Sequence, residues 1–515
     1  MKAADGFPKR FAVVGGGTAG WLSALVLQDA ARRLGLDLCL TVIESTRIPT
    51  IGVGEGTTAV FRGFLHQLGL DELEFLRETG ATIKYGIRHR DWRSVGVTYD
   101  GPIDDPHTIC PPAPGSESAW LDQYCISSGR PVSDYHLFTH LMQRSLAPLI
   151  LRRGREPLAV APFHHAYHFD QALVGRYLRQ KSGNVAHVDS MVTGVRRDSQ
   201  SGDIQALVLE GGIELPVDFV IDCTGFRRML IGDEMGAKWM PYGDTLPVNR
   251  AMPFWLPHEG GADIPPYTLA GAMGSGWMWQ IPTQSRLGCG YAYSDQFLTP
   301  EQAQAEIEGA LGRKIEPRND IRINSGRLDR SWIGNCLATG LAQSFFEPLE
   351  ATSIHGTLVQ MLLFVQFHLK PLVQGAPASR EDYNRAVGQQ VDDFCTFINI
   401  HYVSERRDTP FWRHVNANCI GKNARLRLRQ WSEHTPLRSD FIPLPGDLPH
   451  VMEQLYIPVL DGLGLLRRDV ARAELAANPK LRAHARKTSK KLIREFRLAA
   501  MKLQSHREFL EALHD

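Results

Sequence analysis

The six residues Gly15-Gly16-Gly17-Thr18-Ala19-Gly20 constrain this chain more than any other stretch. They follow directly on the β-rich run Arg10-Phe-Ala-Val-Val14, and beyond them Leu22, Leu25, Val26 and Leu34 recur at helical spacing. In a GxGxxG turn between strand and helix the glycines have separate duties. One makes the turn, one lets a pyrophosphate approach the backbone, and one lets helix and strand pack. The helix N-terminus then faces the phosphates. Leu38-Cys-Leu-Thr-Val-Ile-Glu44 reads as a second buried strand. Residues 10–44 therefore form a βαβ unit, which requires a right-handed crossover and a parallel sheet. The fold class is α/β, Rossmann-like. Gly15, Gly17, Thr18, Ala19 and Gly20 are the cofactor-binding candidates, joined by Glu44, which ends the second strand where a carboxylate reaches ribose hydroxyls.

The 515-residue length leaves room for about three domain-equivalents of roughly 150 residues. Val185–Val195, Gln205–Leu209 and Phe219–Asp222 read as strands, which predicts a second sheet over about 185–340. From Gly356 the pattern turns helical, with Leu358, Met361, Leu362, Val365 and Leu369 three and four apart. The expected division is residues 1–365 for cofactor and catalysis, then a helical region, 366–515, covering the substrate side.

Lys and Arg number 57 against 56 Asp and Glu, so no global field gathers nucleic acid or an anionic membrane, and neither is expected as a partner. The eight cysteines are scattered and never form CxxC, which argues against a disulfide framework or a zinc ribbon. No metal site is expected, and a reduced, cytoplasmic protein fits best. Lys2, Lys9 and Arg10 precede apolar residues as in a leader peptide, but Gly15–Gly17 interrupt that stretch. No run of about 18 apolar residues is read elsewhere, so no membrane span is expected.

Asp222-Cys-Thr-Gly-Phe-Arg227 closes the strand Phe219–Ile221 and resembles a late motif of FAD-dependent oxidoreductases, favouring FAD over NAD. Ile51-Gly-Val-Gly-Glu-Gly56 is a second glycine-rich strap, and Trp277-Met-Trp-Gln-Ile-Pro282 fits WxWxIP. With Gly52-Val-Gly-Glu55, Lys84-Tyr-Gly-Ile-Arg-His-Arg-Asp-Trp92, Asp222–Phe226 and Phe346-Glu-Pro-Leu-Glu-Ala-Thr-Ser-Ile-His355, five motifs stand in family order. In these the chain resembles the flavin-dependent tryptophan halogenases, strongly over about 10–370 and more loosely beyond.

The resemblance implies a two-component enzyme. Reduced FAD (FADH2) comes from a separate flavin reductase, O2 and chloride or bromide react there, and hypohalous acid travels to a second pocket holding an electron-rich, indole-type aromatic. Lys84 matches the lysine that aims the hypohalous acid, a compact donor suited to a dry pocket. Glu350 matches the glutamate beside it, which accepts the ring proton or orients the halogen donor. Thr352 and Ser353 fall where backbone amides bind halide, although the family's Ser-Thr-Gly is Ala351-Thr352-Ser353 here. If that last position needs positive φ, Ser353 costs on the order of 1 kcal/mol. Val192, Leu341 and Ile354 match positions against the flavin, and Trp277 and Trp279 carry the signature that keeps it from ordinary monooxygenation.

The substrate side is less legible. Tyr456 stands near where the family has a Trp, and Phe411, Trp412 and Trp431 are further aromatics that the core also accounts for. Lys480–Arg497 holds eight Lys/Arg against one acid, Glu495, with Leu492, Ile493 and Phe496 as an apolar side. That face is either solvated or a dock for a carrier protein or acidic peptide, which would make the substrate tethered. A homodimer is also compatible. A hydroxylating flavin monooxygenase keeps the glycine motif but has no use for Trp277 and Trp279. A non-catalytic flavin-binding module has none for Lys84 and Glu350.

Overall fold

The computed structural model describes residues 9–48, 54–111, 120–152 and 155–514, so Ile51, Gly52 and Val53 of the strap lie outside the described residues. Arg10–Val14 and Cys39–Glu44 pair in parallel, Val13 beside Val42, and the helix Thr18–Leu34 crosses between them. Phe11, Ala12, Val13 and Val14 are all buried, as a central strand covered on both faces requires. Ala186–Asp189 extends the sheet beyond Cys39–Glu44, while Phe219–Asp222 and then Cys336–Ala338 extend it on the other side, all parallel. Antiparallel Trp332–Ile333 closes that edge.

Two segments expected in a second sheet therefore belong to the first. The run 185–195 is in fact two strands, since Val192–Arg197 begins a separate antiparallel sheet with Ile204–Leu209 and Glu214–Pro216. Residue alternation fixes which face a strand buries but not which neighbour it pairs with.

The larger second sheet has seven strands in the order Ile321–Arg322, Arg250–Leu256, Leu287–Tyr293, Gly276–Pro282, Thr268–Ala272, Gly86–Arg90 and Thr98–Pro102. Two of these come from outside 185–340, joined through the parallel pair Thr268–Ala272 and Gly86–Arg90. This pairing sets His89 opposite Ala270, on the strand next to the one that carries Trp277 and Trp279.

Beyond residue 352 the described elements are helices. The helix Thr352–Phe364 continues through wider turns at Val365–Leu369 to Val373, so residue 365 lies inside a continuous helical stretch. One buried core takes side chains from Phe11 to Leu513. By length and composition Leu349–Val373 could cross a bilayer, contrary to the expectation that no segment does. More than half of its most apolar part is buried, and it packs on Thr18–Leu34 and Arg380–His401. On the helix Pro479–Ala500, Ala485, Ser489, Leu492 and Phe496 form the buried stripe, and the basic residues stay outside.

Candidate active site

The glycine turn is crowded within and open on one side. A Cβ on Gly15 would overlap the Cys223 carbonyl, one on Gly16 the Glu44 carboxylate, and one on Gly20 the Gly15 carbonyl. Gly17 meets nothing within 4 Å, and Thr18 Oγ1 is buried without a protein partner. Open backbone, an orphaned hydroxyl and the free amides of a first helical turn fit a dinucleotide pyrophosphate. The Glu44 carboxylate is held by Arg179 at 3.3 Å and lies 2.9 Å from His187 Nε2. Asp222 accepts from the amides of Thr224, Leu230 and Ile231, so its work is to hold the turn after its strand. Val192 packs with Val14, Ile43 and Ala342 beside this sheet end.

Next to the turn lies a mostly apolar pocket with about 860 Å³ of free space, part of it open to solvent. The strap residues Gly54–Gly56 form one wall, Trp279 and Ile281 another, and Leu341 with Ala351, Thr352 and Ser353 a third. Such a pocket suits a planar ring system with few polar groups for orientation. Trp279 lies flat on Gly290 of the neighbouring strand, where a Cβ would fall inside the indole. Glu55 is the acid of this pocket, its carboxyl pushed up to about 7 by burial. Ile354 points into the core instead.

Lys84 ends the strand Thr82–Lys84, which shares the partner strand Ala166–Asp170 with Gly54–Gly56. Its Nζ donates to the Thr57 carbonyl at 3.0 Å. A Cβ on Gly56 would lie 3.2 Å from that Nζ and 3.3 Å from the Ala351 Cβ. Gly56 and Ala351 line the pocket, so the ammonium sits directly behind the pocket wall. Lys84 is only 2% exposed, and burial pushes it down to about 8 although Glu350 acts the other way.

Glu350 and Ala351 adopt φ of 70° and 53° in succession, in the left-handed region that L side chains rarely enter. The helix begins only at Thr352. Ser353 is therefore not the strained position; it sits in the right-handed first turn, and the strain falls on Glu350 and Ala351 because the chain reverses there before the helix starts. That reversal turns the Glu350 carboxylate to 3.0 Å from His401 Nε2 and 3.5 Å from His89 Nε2. Burial would raise Glu350, but hydrogen bonding and charge from the two histidines outweigh it and hold the carboxyl well below its usual range. Burial pushes His89 down.

Trp277 stands outside the pocket, and its indole N–H donates to the buried Glu347. Phe411 and Trp412 are core residues, the latter donating to the Met273 carbonyl. Trp431, Tyr456 and Phe397 instead form a run of aromatic contacts that ends at His401, while Tyr99 stacks on His89 at 4.7 Å. Glu347 and His89 lie inside motifs already quoted, yet nothing local marks them as partners of Trp277 or Glu350. His401 comes 51 residues after Glu350 with no sequence signal at all.

The profile of a family described as tryptophan halogenase matches residues 10–473. The chain is 30% identical over 505 residues to the tryptophan 6-halogenase SttH of Streptomyces toxytricini, covering 92% of each chain. It is 34% identical over 420 residues to the tryptophan 7-halogenase RebH of Lentzea aerocolonigenes, covering 78% of this chain and 77% of the relative. Among solved structures it is similar to BrvH, a flavin-dependent halogenase from Brevundimonas sp. BAL3, with a TM-score of 0.80 and 27% identity over 98% of this chain and 99% of that one. With a glycine cradle fitted to a dinucleotide and an apolar pocket beside it, the chain belongs to the tryptophan halogenase family and is a flavin-dependent halogenase.

Proposed function

We propose that the chain halogenates an indole-type, electron-rich aromatic, and that Lys84 and Glu350 direct the reaction. Bound FAD in its reduced form, with O2 and chloride or bromide, supplies hypohalous acid. The amides of Thr352 and Ser353, in a first helical turn on the pocket wall, hold the halide. Gly15, Gly17, Thr18, Ala19 and Gly20 hold the pyrophosphate, Glu44 the ribose, and Leu341 shapes the ring's surroundings, while Val192 and Ile354 pack into the core. Lys84, buried behind Gly56, donates a hydrogen bond to the hypohalous acid and fixes its halogen toward one ring carbon. Glu350, ionised, takes the proton that the substituted ring carbon gives up.

The observation that carries this reading is the shared wall. Gly56 lines the pocket beside Ala351 and also packs against the Lys84 ammonium, where a Cβ would fall 3.2 Å from Nζ, so an electrophile made in the pocket has a short path to the lysine. The related tryptophan halogenases support an aromatic substrate and a separate reductase. A cytoplasmic setting accords with eight unpaired cysteines. The exposed basic face of Pro479–Ala500 leaves a tethered substrate as the competing form.

The test supplies purified protein with FAD, a flavin reductase, NADH, and bromide or chloride, together with free indoles, phenols and indole-bearing peptides. Halogenated product detected by mass, and absent without the reductase, is expected. Hydroxylated product with no halogen would overturn the proposal.

A further inference from the structure

We propose that His89, Glu350 and His401 bind a divalent metal ion of the zinc class, and that occupation withholds Glu350 from halogenation. The second half rests on the role given to Glu350 above; the first does not.

The geometry is that of a ligand set. Donors bound to one tetrahedral zinc at about 2.0–2.1 Å stand about 3.3 Å apart. Glu350 Oε1 lies 3.0 Å from His401 Nε2 and 3.5 Å from His89 Nε2, and the three donor atoms fall within 4.8 Å of one another. The three come from a strand, a strained turn and a long helix, so the tertiary fold alone assembles them.

Each histidine is prepared for a ligand. His401 Nδ1 lies 2.9 Å from the Phe397 carbonyl, which only accepts, so Nδ1 carries a proton and Nε2 faces Glu350. A backbone carbonyl fixing the tautomer in this way is the usual support of a metal-bound histidine. His89 is fully buried; its Nδ1 has no hydrogen-bond partner, and its Nε2 meets Glu350 Oε1 only at 3.5 Å. Its ring is held by stacking on Tyr99 at 4.7 Å and 12°. A buried imidazole held only by one long contact is costly unless something occupies its lone pair. Two imidazole nitrogens and one carboxylate oxygen suit zinc, cobalt, nickel or copper better than calcium or magnesium.

The proton balance follows. Nε2 of His401 and Oε1 of Glu350 are both acceptors when neutral and ionised respectively, so at 3.0 Å one proton stands between them in the metal-free protein. The cation takes that proton's place, binds both atoms and His89, and releases one proton to solvent; water completes the coordination. Lys84 is the neighbouring cation that opposes the ion.

Metal-free, full-length protein is titrated with Zn2+ by calorimetry in two buffers of different ionisation enthalpy, and with Co2+ by visible absorption. One ion bound, about one proton released and the strong d–d bands of four-coordinate cobalt are expected. His89→Phe and His89→Gln, each checked for native melting, weaken binding by about tenfold or more. No stoichiometric binding, or binding unchanged in both variants, overturns the site. In the halogenation assay, zinc at saturating concentration stops product formation and a chelator restores it. Undiminished turnover with the site filled overturns the regulatory half, whereas a protein that never halogenates counts against the proposed function and leaves the binding result standing.

Discussion

The indole N–H of Trp277 donates to a carboxylate oxygen of Glu347 at 2.5 Å, and the Tyr402 hydroxyl donates to the same oxygen. This ties the Trp-x-Trp strand to the loop that ends in Glu350. The carboxyl is fully buried and pushed up to about 7 by that burial, while its two donors act the other way. Trp277→Phe removes one donor, and a loss of about 1–3 kcal/mol in denaturant unfolding is expected. Halogenation falls with it as the loop loosens. Combining it with Glu347→Gln should destabilise by less than the sum of the single changes; strict additivity would show that the contact is idle.

Lys84 carries a stability cost with a defined pH window. Its folded value is depressed to about 8 from an ordinary 10.5, so the folded state binds fewer protons than the unfolded one between these limits. The cost is therefore fully present below about pH 8 and relieved as pH rises to 10.5, and by linkage it amounts to roughly 3 kcal/mol at most. Lys84→Met should melt higher than the native protein at pH 7, with the gap closing toward pH 10, while halogenation is abolished and flavin reoxidation persists. A gap that does not change with pH would contradict the assignment.

The left-handed conformation at Ala351 gives opposite expectations for two neighbouring glycine substitutions. Ala351→Gly relieves positive φ and should stabilise by about 1 kcal/mol. Ser353→Gly, in a regular first turn, should destabilise by up to about 1 kcal/mol. Thermal melts of the two variants decide between them, and stabilisation by Ser353→Gly would place the strain where the sequence first suggested.

Ser353 also lines the pocket, so its side chain narrows the place where an anion meets the Thr352 and Ser353 amides. Bromide is easier to desolvate and oxidise than chloride, and faster bromination is expected. Ser353→Gly should narrow the difference, read as the ratio of products in mixed halide. An unchanged ratio would remove Ser353 from the halide site.

Gly290 gives the pocket wall its flatness, because a Cβ there would fall within the Trp279 ring. Gly290→Ala should drive that indole into the pocket and weaken FAD binding by about tenfold or more, measured by fluorescence titration. Wild-type affinity would mean that Trp279 does not border the flavin.

The sequence by itself determined the βαβ unit, because the duties of Gly15–Gly20 and the apolar strand at Arg10–Val14 are local: backbone crowding and strand burial act within a few residues. Lys84, Glu350 and the Trp277–Trp279 strand stood out only through their resemblance to motifs of a known family. The tertiary structure alone decided which strands pair, since alternation fixes faces and not neighbours; Phe219–Asp222 joined the parallel sheet for that reason. It alone brought His401 to Glu350 and Glu347 to Trp277, contacts across 51 and 70 residues that leave no periodic trace. It also moved the backbone strain from Ser353 to Glu350 and Ala351, because dihedral angles at a chain reversal depend on where the helix beyond it must pack. The chemistry-bearing residue types were legible in the chain; their charges, partners and strain came from burial, which only folding creates.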